Sequence, residues 1–249
     1  MKNNNSNRFN KIAMFGFFLF LISIITVLIA PLGSRIGIWN YDTAVIFLQI
    51  TAYSGIAAVL VSLVGAIVTR PGQTYRGFYL SLTVIVIIVP TLIFLMYWKN
   101  AKENFPPIQD ITTNTDKPPQ FWTAPNSKVY GGVGVAAYQE EAYPDIGPLI
   151  LSNPADKVFD LALEVVKTKG WKMWENNRKE KHIEATETTF WFGFSDDVVI
   201  HITTIESGET RVDVRSTSRF GGGGDGGTNA RRIRSFMQTL KIQANKVKL

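Results

Sequence analysis

The residues with chemical potential in this sequence gather in its C-terminal half. Arg215 and Arg219 precede a glycine-rich run, and Asn229 and Arg231 follow it, just after Thr228, where a helix is expected to begin. Amides at a helix N terminus beside guanidinium groups attract anions. Arg215, Arg219, Asn229 and Arg231 therefore form a candidate rim for a phosphate or carboxylate, with a plain flexible turn as the competing reading. Gly221, Gly223 and Gly226 satisfy the GxGxxG spacing. No second strand follows to complete a βαβ unit and no GK[ST] occurs, which argues against dinucleotide binding.

Asp110, Asp196, Asp197 and Asp213, joined by Asp225, are the residue type that holds Mg²⁺ or Ca²⁺ through carboxylate oxygens. Asp196 and Asp197 are neighbours on an expected strand, so their side chains point to opposite faces and make a poor chelate. Pairing with arginines such as Arg215, Arg231 or Arg234 is the competing reading. His182 and His201 are the only histidines and cysteine is absent, which leaves zinc without its usual ligands. Ser216 or Ser218, His201 and Asp213 supply the types of a hydrolase triad, but without a GxSxG elbow. No cofactor is expected.

These residues need elements to position them. Asn153 as cap, Pro154 at the first helical position and Gly170 past the last turn predict a helix whose apolar face is Val158, Leu161, Ala162, Val165 and Val166. From Trp171 the period changes to two. Strands are expected over residues 171–175, 182–188, 197–205 and 211–218, with turns at 176–181 and 207–208. Val198, Ile200 and Ile202 alternate with Val199, His201 and Thr203, and Val212 and Val214 with Asp213 and Arg215, so one face is core and the other wetter. A last helix runs from Thr228 to about Ile242. The expected domain, residues 149–249, is α+β: an antiparallel four-stranded sheet covered by two helices. The aromatic stretch Phe190, Trp191, Phe192 and Phe194 is expected to be core on one face and a contact surface on the other.

The first half differs in kind. Residues 12–30, 44–69 and 77–98 carry no charge and are each long enough to cross about 30 Å of hydrocarbon. They define a three-helix transmembrane region over residues 1–98. Ser54, Gly55, Ala57, Ala58, Ser62, Gly65 and Ala66 suit close helix contact. Residues 99–148, rich in proline, glycine and threonine, are expected to be extended and irregular, lying on the domain that follows. Lys2, Arg8 and Lys11 before the first span, Arg35 after it, and Arg70 with Arg76 before the third put the N terminus in the cytoplasm. An odd number of crossings puts the C-terminal domain outside it, at a bacterial inner membrane. No span contains Asp, Glu, Lys, Arg or His, which disfavours a pump or transporter.

The segments PPIQDITTN at 106–114, YPDIGPL at 143–149, ATETTFWFGFSDDVVI at 185–200, and VDVRSTSR followed by GTNARRIRSF up to Phe236 resemble an uncharacterised bacterial and plastid family, domain of unknown function fourteen ninety-nine. The resemblance covers about residues 105–240 and implies a domain of this kind behind transmembrane helices; it implies no activity. With 249 residues, a net charge of +6 spread over both halves and no cysteine, nucleic acid is not an expected partner and disulfides are excluded. The expected function is a non-enzymatic, membrane-anchored binding or scaffolding module in the lipid bilayer, meeting an envelope protein or an anionic small ligand. The alternatives are a metal-assisted hydrolase built on the aspartates and an accessory subunit of a transport system.

Overall fold

Asn10 opens the first helix by accepting a hydrogen bond from the Ile12 amide. A computed structural model of the chain describes residues 8–125, 129–219 and 224–247. Three helices, α1 (Lys11–Arg35), α2 (Tyr41–Val68) and α3 (Phe78–Glu103), are long and apolar enough to cross a membrane. They pack through small residues. On α2, Thr51, Gly55, Ala58, Ser62 and Gly65 recur at helical spacing and are buried, while Ser54, Ala57 and Ala66 are only half-buried. A β-carbon on Gly55 would stand 3.1 Å from Ile88 and 3.2 Å from the Ser23 hydroxyl. The hydroxyls of the stripe bond across helices: Ser23 Oγ donates to the Thr51 carbonyl at 3.0 Å, and Thr26 and Thr51 share a 2.8 Å bond. Packing and hydrogen bonds, with no hydrophobic difference from lipid to exploit, hold such helices together.

By its contacts the chain divides into two units, residues 1–100 with 190–193, and residues 101–189 with 194–249. In the second unit the sheet has, among the described residues, six strands and not four. β3 (Lys172–Asn177), β4 (His182–Thr188), β5 (Ser195–Thr204) and β6 (Thr210–Ser218) are the expected antiparallel meander. Two unforeseen three-residue strands, β1 (Asp110–Thr112) in the region expected to be irregular and β2 (Leu149–Leu151) just after it, both add to the outer edge of β6. Triplets this short carry no readable period, so only their partner reveals them. The free edge of β1 is closed by a side chain: Gln139, on the unforeseen helix α4 (Gly132–Ala142), accepts from the Thr112 amide at 2.9 Å and donates to its carbonyl at 2.7 Å. This satisfies an edge that would otherwise be open to pairing.

Helices α5 (Ala155–Thr168) and α6 (Thr228–Lys246) cover one sheet face. Ile183, Ala185, Val198, Ile200, Ile202, Val212 and Val214 meet Phe159, Val165, Ile233, Phe236 and Leu240 there. The start of α5 lies one residue later than expected. Pro154 is its cap and Asn153 instead donates to the Ala244 carbonyl at 3.3 Å, tying the two helices together. Gly170 ends it as expected, with φ 69°. Gly227 caps α6 with φ 73°, and Asp225 accepts from the Gly227 and Asn229 amides, both at 2.7 Å.

Candidate functional site

The opposite sheet face was expected to be the wetter one, and its residues are polar but not exposed. Glu184, Asp197 and Arg215 are fully buried and His182 nearly so. The proline-rich segment lies across them, for a reason written in its own amides. The backbone N–H groups of Trp122, Thr123 and Ala124 all donate to the Glu184 carboxylate, the last two at 3.0 and 2.6 Å. Thr123 Oγ1 adds a bond at 3.1 Å and His182 Nε2 another at 2.7 Å. The Trp122 ring stacks on His182 at 3.6 Å between centroids. Burial raises the pKa of Glu184, but the bonds from His182 and the three amides outweigh it and bring it down to about 2.

Asp110, Asp196, Asp197 and Asp213 each have their own arginine, and Asp225 instead accepts the Gly227 and Asn229 amides. Asp110 takes a two-pronged bond from Arg215 at 2.9 and 2.7 Å, and the Arg215 guanidinium also donates to the Pro119 carbonyl and lies over the rings of Phe121 and Tyr130. Asp197 is paired with Arg219 at 2.7 and 2.6 Å; that bond raises the Arg219 pKa against the opposing effect of burial. Asp213 is paired with Arg211 at 2.7 Å and accepts from Thr113 at 3.0 Å. Asp196, on the helix face, is paired with Arg232 at 2.6 Å. Three of the four pairs thus stand on one face and the fourth on the other, the alternation separates Asp196 from Asp197, and among the described residues no three of His, Cys, Asp or Glu come together as metal ligands. Asp213 and His201 do oppose each other on neighbouring strands, but Ser216 and Ser218 project to the other face, where they bond Asn229. The triad types are split by the sheet.

The sheet also divides the candidate anion rim. Arg215 and Arg219 are on the face under the proline-rich segment. Asn229 is buried on the helix face, accepting from Ser216 at 2.7 Å and donating to the Gln109 carbonyl at 2.9 Å. Arg231 lines an open cleft to which the other three do not contribute. That cleft, about 230 Å³, is bounded by Lys169, Trp171, Glu187, Thr228, Arg231, Arg232 and Ser235. Gly221 and Gly223 of the glycine-rich run lie outside the described residues.

Four of these cleft residues, Lys169, Glu187, Arg232 and Ser235, are not singled out by the sequence, and Trp171 and Thr228 stand there only as the starts of a strand and a helix. The signal available was the pair Lys169 and Trp171, which flank the glycine that ends α5. Arg232 is neutralised by Glu187 and Asp196. Lys169 and Arg231 donate to neutral oxygens: Lys169 Nζ to Ser235 Oγ at 2.7 Å, Arg231 to the Gly226 carbonyl at 2.8 Å and to Thr228 Oγ1 at 3.1 Å. Trp171 is 6% exposed and its indole N–H has no hydrogen-bond partner among the described residues, a costly arrangement for a buried donor.

Fold and site together define a membrane-anchored α+β domain in which polar side chains are tied into internal networks and one cationic cleft opens to solvent. A protein family described as "Protein of unknown function (DUF1499)" matches residues 110–240, and the chain belongs to that family. No curated protein matches the chain.

Proposed function

We propose that the protein is an extracytoplasmic binding module, anchored in a bacterial inner membrane by α1 to α3, that takes an anionic group in the cleft between the end of α5 and the first turns of α6. The observation that carries this reading is the cleft's charge. Lys169 and Arg231 bring two cations bonded to neutral oxygens, beside the positive end of α6. A volume of about 230 Å³ is below the range of drug-sized pockets, roughly 300–1,000 Å³. It suits a phosphate, sulfate or carboxylate, free or carried on a larger envelope molecule. The orientation rests on the basic residues that flank the spans. The hydrolase reading is less favoured because Asp110, Asp196, Asp197 and Asp213 are already engaged by arginines.

Binding of inorganic phosphate, sulfate and acetate to the full chain in lipid nanodiscs tests the proposal, with Lys169→Ala and Arg231→Ala as variants. Charge-assisted hydrogen bonds contribute roughly 1.5–3 kcal/mol each, so each variant is expected to weaken the preferred anion at least tenfold. Binding of none of the three by the wild-type chain, or binding that both variants retain, would refute the assignment.

A further inference from the structure

We infer that the turn between β4 and β5 is a second membrane contact, an aromatic tip that rests in the headgroup layer of the bilayer. Residues 188–195 read TTFWFGFS, with no charge. The turn is a formed structure: the Thr189 amide donates to the Phe194 carbonyl at 2.8 Å, the Phe194 amide to Thr189 Oγ1 at 2.9 Å, and Gly193 takes φ 69°. Its outermost rings are bare, with Phe190 77% and Trp191 64% exposed. The Arg35 guanidinium lies 5.8 Å from the Phe190 ring centre and Phe192 packs on Tyr41 and Trp98, but the Phe190 and Trp191 rings stay exposed, and tryptophan is the side chain that favours the membrane–water boundary.

The register supplies the argument for lipid as the occupant. Asp110 is opposite Thr217, Thr217 opposite Asp197, and Asp197 opposite Thr186. The chain arriving from the third span therefore enters the sheet at the end where β4 turns into β5. The preceding residue is already fastened at that end, since the Gln109 carbonyl accepts from the Ser218 amide at 3.1 Å. The apolar span ends at Asn100, so the tether to Gln109 reaches about 30 Å at most. The tip extends about 15 Å past the Asp196–Ser218 level, at about 3.3 Å per residue. That reach is about half the tether's greatest length, so a tether short of full extension leaves the tip within range of the bilayer surface that the same chain crosses. The other two turns of the meander, at 178–181 and at Ser207 with Gly208, are at the far end of the sheet and carry no aromatic residue.

The chain has no cysteine, so one introduced thiol carries a unique spin label. Phe190→Cys and Trp191→Cys, labelled in the full chain in nanodiscs, are to be compared with Ser207→Cys for collision with oxygen, which partitions into lipid, and with a water-soluble nickel complex. Oxygen-favoured collision at 190 and 191, several-fold above that at 207, is the expected result. Labels at 190 and 191 as open to nickel as the one at 207 would place the tip in water and overturn the inference. Labels closed to both reagents would place it against protein and overturn it equally.

Discussion

Replacing Glu184 by glutamine asks whether the proline-rich segment is held by a buried charge. In the native protein the carboxylate accepts three backbone amides and a hydroxyl from residues 122–124. Its pKa falls from 4.5 to about 2. At about 1.4 kcal/mol per factor of ten in proton affinity, that difference corresponds to about 3 kcal/mol. Glutamine keeps the shape, loses the charge and turns a donor toward amides that need acceptors, so most of this is expected to be lost. With a urea dependence of about 2 kcal/mol per molar, the midpoint for unfolding of the C-terminal domain moves down by about 1.5 M. Pulse proteolysis of the full chain in nanodiscs, in graded urea, reads it. The sign with pH follows from the depressed pKa. The contribution is complete above 4.5 and disappears as pH falls toward 2, so the wild type weakens over that window and Glu184→Gln loses that part of the slope. A midpoint within about 0.5 M of wild type, with the acid slope unchanged, would refute the reasoning.

Two further outcomes are expected in the same assay. Asp110→Asn leaves the Arg215 guanidinium buried without its carboxylate and costs about 3–5 kcal/mol, while Asp110→Asn combined with Arg215→Met recovers much of that loss; a double variant as weak as the single one would contradict the pairing. Gly227→Ala forces a side chain into φ 73° and its β-carbon to 2.6 Å from the Phe105 ring, so it costs more than about 1–2 kcal/mol, whereas Gly208→Ala, at φ 83° with open space around it, costs only the backbone strain.

Local pattern determined much of this protein. Uncharged runs of about 20 residues can only be spans or core, and the small-residue stripe of Gly55, Ala58, Ser62 and Gly65 marks the face on which α2 packs. The period-two alternation of β4 to β6 and the apolar face of α5 also follow from residue order, because each element's neighbours repeat along its own length. What the tertiary structure decided concerns residues far apart in sequence. β1 and β2 are strands only because β6 lends its edge. Polar alternation showed that one sheet face is not hydrocarbon, yet it could not show that Glu184 gathers amides from residues 122–124 and so buries that face. The same limit applied to the candidate sites. Arg215, Arg219, Asn229 and Arg231 lie close in sequence, but a strand sends alternate side chains to opposite faces and a helix then returns across only one of them, so the sheet separates what the sequence had placed together and leaves Arg231 to meet Lys169 from another helix.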